Sequence, residues 1–380
     1  MRIVVLTTVL PGGRRGGGEI VTQGVVDALR QGGREVLVLG YARPEDSDGG
    51  RPGELRVGQR PIETSVAGPR SLAWMARALA TGTPYSVAKY RSRPYVAAAD
   101  QALGDGTAAV IVDHAQAYFA LGRSRDAGRL IFLAHNAESE AYARLSDGLR
   151  GPVAWANRRE ARRMRDVERE LARRAAQVWT LTAEDAYYFR SLNPGVDARM
   201  LEPASALEPP TAVPTPSYDA ALVGTWSWRP NALGLDWFSS EVVPHLPLDF
   251  TVEVAGSGSE RIAGRHPGVA ARGVVPDARS FLSEARVIAV PGVAGGGLQM
   301  KILDAIASGL PVVATSVAAR GLRDLPESVA VVDDPAAFAG ELVRSAADGG
   351  RRPRREALEW SRARRARLDA AVTSWVSELL

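Results

Sequence analysis

The densest group of residues that could do chemistry lies in residues 290–316, VPGVAGGGLQMKILDAIASGLPVVATS. The pattern predicts a strand, a loop at Gly295–Gly297 and a helix that begins near Leu298. Loop amides and a helix N-terminus favour a bound diphosphate, by about 0.3–1 kcal/mol for each exposed interaction. Lys301 and Asp304 lie one helical turn apart, so Lys301 can place its charge on the diphosphate while Asp304 accepts hydrogen bonds from ribose hydroxyls. The alternative is an ion pair between these two side chains.

A histidine follows a predicted buried strand in the stretch FLAHNAE, with Asn136 and Glu138 beside it. Because chain direction carries His135 to the carboxyl end of the sheet, its imidazole can hydrogen-bond a sugar hydroxyl or a phosphate. The alternative is a structural histidine satisfied by the backbone, with Glu138 orienting the loop. The four histidines show no metal-ligand spacing and the chain has no cysteine, so we expect no bound metal.

A glycine-rich loop, PGGRRGGGE, separates the first predicted strand from the first helix. Backbone N–H groups at such a turn can hold an anion or a polar ligand, which makes Gly16, Gly17 and Gly18 candidate binding residues. The spacing matches neither the G-x-G-x-x-G dinucleotide fingerprint nor a P-loop, and the alternative is a flexible turn. Asp46-Ser47-Asp48 has the form of a paired-carboxylate metal motif, but no apolar strand leads into it, so we interpret it as a solvated loop.

Residues 153–176 are strongly helical in pattern and crowded with arginine. Interleaved Asp and Glu residues at three- and four-residue spacing favour an exposed helix with many salt bridges. The alternative is a basic face toward anionic lipid, which would give peripheral membrane contact, or toward a phosphorylated acceptor. Apart from Lys89 and Lys301, every Lys or Arg position is arginine, a bias typical of a GC-rich bacterial genome.

The composition is that of an ordinary globular protein. Of 380 residues, 46% are hydrophobic and 24% charged, which excludes whole-chain disorder, collagen-like repeats and coiled coils. The net charge of +4 is too balanced to indicate a nucleic-acid partner. The apolar start soon ends in glycines, so we expect no signal peptide, and no apolar stretch approaches the roughly 20 residues of a membrane span. We therefore expect a cytoplasmic protein.

The elements that must position these residues form two α/β domains. Residues 2–9 are a near-continuous apolar run, typical of a strand buried on both faces of a parallel sheet, and residues 20–29 follow at helical spacing. Residues 203–217 are rich in proline and predict an extended linker. We therefore expect a Rossmann-like domain at 1–204, a linker at 205–217, a second Rossmann-like domain at 218–353, and a C-terminal helix at 354–380 that is long enough to pack back across the domain junction.

Apolar runs separated by helical stretches predict the remaining strands. They are residues 35–39, 108–112, 130–134 and 177–181 in the first domain, and 219–224, 250–256, 270–275, 287–291 and 310–315 in the second. Parallel strands alternating with helices form doubly wound sheets, whose ligands bind beyond the carboxyl ends of the strands. We expect the active site at those ends, in the crevice that the two domains share.

With these motifs in this order, the chain resembles the retaining glycosyltransferases of family four, which have the GT-B architecture of two Rossmann-like domains facing a central cleft. The resemblance covers nearly the whole chain and is greatest to polysaccharide and natural-product sugar transferases with a glycine-rich loop before Lys-Ile-Leu-Glu. The residues that carry it are the first glycine loop, His135-Asn136-x-Glu138, Gly224-Thr-Trp-Ser-Trp228-Arg-Pro230-Asn231, Trp237-Phe238, Ala255-Gly256-Ser-Gly258, Gly273-Val-Val275-Pro-Asp277, and the Lys301–Gly309 helix running into Leu310-Pro-Val-Val-Ala-Thr315.

The resemblance implies transfer of a hexose-type sugar from a nucleotide diphosphate sugar to a hydroxyl-bearing acceptor, such as a polysaccharide or lipid-linked intermediate or a natural product. It implies retention at the anomeric carbon, no metal and no other cofactor. His135 and Glu138 are the implied catalytic residues. The implied donor-binding residues are Arg229, Gly256, Gly258, Val275, Gly296, Gly297, Leu298, Lys301 and Asp304.

Some positions depart from the family's pattern. The family's helix is usually flanked by two glutamates eight positions apart, whereas here the second is Asp304 and the first is Gly296. The Arg and Lys that often follow the first strand of the donor domain are missing, which leaves Arg229 as their substitute. Two alternatives stay open. One is a nucleotide-sugar epimerase of the same architecture, which would need extra acid–base carboxylates, and the other is a catalytically silent subunit that binds sugar nucleotide and supports a partner.

Overall fold

The computed structural model describes residues 1–13, 16–44, 46, 51–61, 68, 70–104, 106–122, 129–147, 149–207, 215–295, 297–347 and 355–380. The chain divides into two compact units. The first comprises Met1–Glu202 together with Leu368–Leu380, and the second comprises Pro203–Arg367. Each unit has its own sheet and its own hydrophobic core.

The first unit contains a sheet of seven strands. They are β1 (Arg2–Val9), β2 (Glu35–Ala42), β3 (Glu54–Gln59), β4 (Thr107–Asp113), β5 (Arg129–Ala134), β6 (Gln177–Thr180) and β7 (Asp197–Met200). They lie in the order β3-β2-β1-β4-β5-β6-β7, and every neighbouring pair is parallel. The central strands β1 and β4 are buried along most of their length, which is why their sequences are apolar at almost every position.

Seven helices complete the first unit among its described residues. They are α1 (Gly17–Gln31), α2 (Arg70–Thr81), α3 (Tyr85–Tyr90), α4 (Arg93–Ala102), α5 (Glu138–Ser146), α6 (Gly151–Arg174) and α7 (Ala183–Leu192). A 3-10 helix at Ala115–Leu121 follows β4. The arginine-rich helix predicted at 153–176 is α6, and it begins and ends two residues earlier than the pattern indicates.

The second unit repeats the same plan with six parallel strands. They are β8 (Tyr218–Val223), β9 (Val252–Ala255), β10 (Val269–Gly273), β11 (Ala285–Val290), β12 (Val312–Ala314) and β13 (Val329–Val331), in the order β10-β9-β8-β11-β12-β13. Its helices are α8 (Arg229–Trp237), α9 (Ala278–Ser283), α10 (Met300–Ala307) and α11 (Pro335–Ala347). The helix predicted to begin near Leu298 therefore begins at Met300.

Three strands were not predicted from the sequence, namely β3, β7 and β13. Each lies at the edge of its sheet. Their residues are mostly half-buried or exposed, so they lack the continuous apolar run of a strand that is covered on both faces. The apolar pattern predicts the interior strands of both sheets but does not predict the edge strands β3, β7 and β13.

The C-terminal helix, α12 (Arg355–Leu379), belongs partly to each unit. In the second unit, Arg364 Nε donates to the carbonyl of Pro203 at 2.6 Å. In the first unit, the Trp375 ring packs against Trp179 with centroids 5.7 Å apart. Of the predicted linker at 205–217, residues 208–214 lie outside the described residues, and residues 203–207 belong to the second unit. Among the described residues, no helix is both long and apolar enough to cross a membrane.

Candidate active site

Each sheet has one point where its strand order reverses, between β1 and β4 in the first unit and between β8 and β11 in the second. The connections after the two strands at such a point run to opposite faces of the sheet, which leaves a crevice where ligands of doubly wound sheets bind. Several residues predicted from the sequence lie at these two points.

Lys301 lies at the reversal point of the second unit, in the first turn of α10. Its Nζ donates to Oδ1 of Asn231 at 3.1 Å and lies 5.6 Å from the centre of the Trp226 ring. Asn231 Nδ2 donates in turn to the carbonyl of Thr225 at 3.0 Å, and the Trp226 indole donates to the carbonyl of Ala255 at 2.9 Å. A neutral amide and an aromatic face therefore hold this cation.

Within the part of the chain that the structure describes, no carboxylate lies close enough to Lys301 to form an ion pair. The pair with Asp304, considered above as an alternative, does not form because both side chains have other partners. Burial lowers the pKa of Lys301 to about 8. Burying a cation away from water without a counter-charge costs free energy. An anionic ligand bound beside Lys301 would reduce that cost.

Asp304 is directed at the first residues of the predicted linker. Ser205 Oγ donates to its Oδ1 at 2.6 Å. Burial raises the pKa of the Asp304 carboxyl to about 6, although hydrogen bonds from Ser205 and from the backbone of Ala206 lower it. The side chain predicted to bind ribose is therefore already hydrogen-bonded within its own unit, and its role toward ribose stays a prediction.

Gly256 and Gly258 form the close contact between the loops that follow β8 and β9. Both have positive φ, at 116° and 86°. A Cβ at Gly256 would lie 1.8 Å from the carbonyl oxygen of Gly224, and one at Gly258 would lie 2.7 Å from the backbone nitrogen of Ser227. These two positions therefore require glycine for loop packing, and the predicted approach to a nucleotide stays a prediction.

The other predicted donor residues lie around the same edge of the second sheet. Arg229 is exposed at the start of α8, Val275 is half-buried between β10 and α9, and Gly297 and Leu298 lie in the loop before α10. Gly297 has a φ of 70°, which favours glycine. Gly296, the position where the family usually has glutamate, lies outside the described residues.

At the reversal point of the first unit, a buried carboxylate collects three hydrogen bonds. Asp113, the last residue of β4, is fully buried. Its Oδ2 accepts from Thr7 Oγ1 at 2.6 Å and from Thr22 Oγ1 at 2.9 Å, and its Oδ1 lies 2.7 Å from His135 Nε2. Burial raises the pKa of Asp113, but the charges of His114 and His135 and these hydrogen bonds outweigh it and lower the pKa to about 2. Because the carboxylate is ionised, His135 carries its proton on Nε2 and leaves Nδ1 as the free ring nitrogen.

His114 completes this cluster in an unusual backbone conformation. Its φ of 66° and ψ of 141° fall in a region that non-glycine residues rarely adopt, and strain of this kind is concentrated at functional sites. Its ring stacks on His135 with centroids 3.7 Å apart. Burial and the neighbouring His135 lower the pKa of His114 to about 4, although Asp113 acts in the opposite direction.

The glycine loop packs directly against the two histidines. Gly16 is the residue before α1, and Gly17 and Gly18 begin that helix. A Cβ at Gly18 would lie 3.2 Å from His114 Nε2 and 3.6 Å from His135 Nδ1. Gly18 therefore leaves room for the histidine pair, while the anion-binding role predicted for this loop stays a prediction.

Glu138, the other predicted catalytic residue, begins α5. Asn136 Nδ2 donates to its Oε1 at 3.2 Å. Burial raises the pKa of the Glu138 carboxyl, while Asn136, His135 and Gln116 lower it. Gln116 Oε1 is buried and has no hydrogen-bond partner, so a ligand hydroxyl near Glu138 could satisfy it.

Asp113, His114 and His135 are also the one group among the described residues whose ligand atoms come close enough to hold a metal ion, all within 4.8 Å of one another. The hydrogen bonds of Asp113 account for the present arrangement without a metal. Of the Asp46-Ser47-Asp48 motif, Ser47 and Asp48 lie outside the described residues.

The sequence did not predict the hydrogen-bond partners that surround Lys301 and His135. Asp113 and His114 end a predicted buried strand in the sequence VIVDHA, and this polar pair at a strand end was an available signal. Thr7 and Thr22 carried no such signal, and Asn231 was part of a family motif but was not predicted as the partner of Lys301. All three meet their partners only through folding, across 106, 91 and 70 residues of sequence.

The two doubly wound units together define the GT-B architecture, which confirms the predicted fold class. The chain is similar in fold to the sucrose-phosphate synthase of Thermosynechococcus elongatus, with 17% identity, 100% of this chain and 98% of that chain covered, and a TM-score of 0.64. It is also similar to Anabaena HepE in complex with UDP, with 13% identity, 100% and 99% covered, and a TM-score of 0.61. For the lipopolysaccharide outer core galactosyltransferase WaaB the identity is 12%, the coverage 100% and 99%, and the TM-score 0.58.

A sequence match is more specific than these similarities of fold. Residues 218–348, which lie in the second unit, match the family described as Glycosyl transferases group 1. No curated protein sequence matches the chain. The matched residues include Lys301, Asn231 and Asp304, so the uncompensated cation lies within the matched region.

We predict that His114 contributes a loss of folding stability as the pH is lowered from about 6.5 to 4. Since the pKa of His114 is about 4 in the folded protein and 6.5 ordinarily, the unfolded chain binds a proton over this range that the folded chain does not. The expected loss is up to about 3 kcal/mol. Below this range, the lowered pKa of Asp113 adds a second loss as the pH falls toward 2. Urea unfolding at a series of pH values measures both.

The control is a comparison of slopes between variants. His114→Gln should remove this contribution between pH 4 and 6.5, whereas His245→Gln, at an exposed position, should leave the dependence unchanged. The difference between variant and parent is the quantity to use, because burial also raises the pKa of Glu168 to about 7 and that of Asp304 to about 6, and both give slopes of opposite sign. An unchanged slope in His114→Gln would contradict the burial of a neutral His114.

Proposed function

We propose that this protein transfers a hexose-type sugar from a nucleotide diphosphate sugar to a hydroxyl-bearing acceptor. The observation that carries the proposal is the uncompensated charge of Lys301 at the strand-reversal point of the second unit, within the region that matches Glycosyl transferases group 1. HepE, one of the similar structures, is described in complex with UDP and with UDP-glucose. These complexes support UDP-glucose as the first donor to test.

The proposed reaction retains the configuration at the anomeric carbon. The bond from that carbon to the diphosphate oxygen breaks, and the diphosphate leaves with the electron pair. The acceptor oxygen bonds to the same face of the carbon, and its proton passes to an oxygen of the departing phosphate. Lys301 and the amides of Gly297 and Leu298 stabilise the negative charge that grows on the leaving group, which is the largest contribution such a site can make. No metal is needed for this.

The remaining donor contacts follow from the same placement. We propose that Asp304 accepts hydrogen bonds from the ribose, that main-chain groups at Val275 bind the base, and that Arg229 adds positive charge at the start of α8. The acceptor would be a polysaccharide or lipid-linked intermediate or a natural product.

In the first unit, His135 is the proposed catalytic side chain toward the transferred sugar. Because Nε2 donates to Asp113, Nδ1 is the ring nitrogen that can accept a hydrogen bond from a sugar hydroxyl. The ionised Asp113 behind the ring favours positive charge in front of it, so the interaction should strengthen as the sugar becomes oxocarbenium-like. Glu138 and the unpartnered Gln116 Oε1 offer further polar contacts beside it.

Lys301→Ala should weaken UDP binding by about 1–3 kcal/mol, the value of a lost charge-assisted hydrogen bond, which is roughly a 5- to 150-fold rise in Kd. In the parent protein, UDP affinity should also decline above about pH 8, because Lys301 loses its proton there. Isothermal titration calorimetry with UDP measures both effects.

The matched control is Arg286→Ala, which removes a cation of the same unit near the amino end of β11, where Arg286 pairs with Asp219. It should leave UDP affinity unchanged. Equal affinity in Lys301→Ala and the parent would remove the basis of the proposal. Binding of UDP-glucose with neither transfer nor slow hydrolysis would instead indicate a catalytically silent subunit.

His135→Ala should lower kcat by about 10²-fold while raising the donor KM much less, because the proposed hydrogen bond strengthens in the transition state. Steady-state kinetics and the thermal midpoint are measured on the same sample, with the exposed His245→Ala as control. A lowered midpoint with a nearly normal kcat would show that His135 is structural.

Turnover should survive an excess of EDTA. Lys301 and the loop amides supply the positive groups that a divalent cation supplies elsewhere. The assay is donor consumption with and without chelator. Loss of activity that manganese or magnesium restores would refute the metal-independent mechanism and direct attention to Asp113, His114 and His135.

A further inference from the structure

The first unit presents a basic and apolar surface that the proposed chemistry does not use. We define the α2–α6 face as helix α2, the N-terminal half of α6 and the end of α5. Its exposed apolar side chains include Leu72, which is 73% exposed, and Trp155, which is 53% exposed. The others are Leu79, Leu145 and Val153. These side chains belong to three helices of the first unit, and a concentration of exposed apolar side chains marks an interaction surface.

An arginine of α6 links that helix to α2. Arg159 of α6 donates to the carbonyl of Ala78 in α2 at 2.7 Å and to the carbonyl of Thr83 at 3.2 Å. Glu160, the next residue, accepts from the backbone nitrogens of Tyr85 and Ser86 at 2.7 and 2.9 Å. The exposed residues of α2 and of α6 are therefore held at fixed positions relative to each other.

The same face has a strong excess of positive charge. Residues 70–99 contain no Asp or Glu. The acid in the first half of α6, Glu160, is buried against α3. Asp147, at the end of α5, is the exposed carboxylate nearest to the face in sequence. Arg70, Arg77, Arg144, Arg150, Arg158 and Arg162 are the exposed basic residues here.

A groove of about 690 Å³ between α5 and α6 gathers both kinds of side chain. Its lining includes Trp155, Leu149, Arg150, Arg158 and Arg162. None of these three arginines forms an ion pair with a described residue. In contrast, three arginines of the second half of α6 are paired on their own helix, Arg163 and Arg169 with Asp166 and Arg173 with Glu170.

We infer that the α2–α6 face binds the surface of a membrane that contains anionic phospholipid. Tryptophan and leucine side chains would enter the boundary between headgroups and acyl chains, and the unpaired guanidinium groups would bind lipid phosphates. The arginine-rich stretch at 153–176 thus serves two purposes, since its second half is a salt-bridged helix and its first half is the lipid-binding part. This inference does not depend on the proposed sugar transfer.

The test is sedimentation of the full chain with vesicles of phosphatidylcholine alone and of equal parts phosphatidylcholine and phosphatidylglycerol. We expect binding to the anionic vesicles alone, weakening as salt is raised. Trp155→Ser combined with Leu72→Ser should reduce that binding at least about tenfold, since apolar insertion and charge act together. Tyr187→Ser, an exposed aromatic on α7, is the matched control and should bind as the parent does.

A second pair of variants separates local charge from net charge. Arg158→Gln with Arg162→Gln should lose anionic binding, whereas Arg169→Gln with Arg173→Gln, on the same helix and with the same change in net charge, should retain it. Equal losses in the two variants, or equal binding to both kinds of vesicle, would overturn the inference. Sedimentation of the parent protein without vesicles would also overturn the inference if Trp155→Ser abolished it. The face would then be a contact between copies of the chain. UDP affinity of the Trp155→Ser variant, measured by calorimetry, reports separately on the donor site.

Discussion

The reversal of strand order at one point in each sheet is the constraint on which both candidate sites depend. Parallel strands cannot be joined by tight turns, so every connection leaves at the carboxyl edge, and at the reversal point two of them run to opposite faces. In the second sheet this brings the loop after β8 and the start of α10 together, which places Asn231 beside Lys301. In the first sheet it brings the ends of β1 and β4 together, and Asp113 accepts a hydrogen bond from Thr7 there.

The two sites solve the problem of a buried charge in different ways. Asp113 is surrounded by donors from three elements and stays ionised, so its charge is satisfied inside the protein. Lys301 is held by an amide and an indole ring, which fix its position without neutralising it. The first arrangement orients the imidazole of His135, which we propose to be catalytic, and the second leaves a positive charge for a ligand to balance.

The sequence predicted the interior of this fold better than its margins. Strands such as β1 are apolar at nearly every position because both of their faces are covered, whereas β13 is short, half-exposed and without such a pattern. Lys301 and His135 could be identified because local signals surround them, a glycine loop and helix in one case and a strand end in the other. The contacts that Asn231 and Thr22 make could not be predicted, because they join distant parts of the chain.

In the second unit, the hydrogen bond from Ser205 competes with any ligand group that would bind the Asp304 carboxylate. If Asp304 binds ribose as we propose, a ribose hydroxyl must share or displace the Ser205 hydroxyl, and the free energy of nucleotide binding then includes the cost of that exchange. Ser205 lies two residues beyond Pro203, where the second unit begins. Nucleotide binding of this kind would therefore loosen the hydrogen bond that fastens the beginning of that unit to α10.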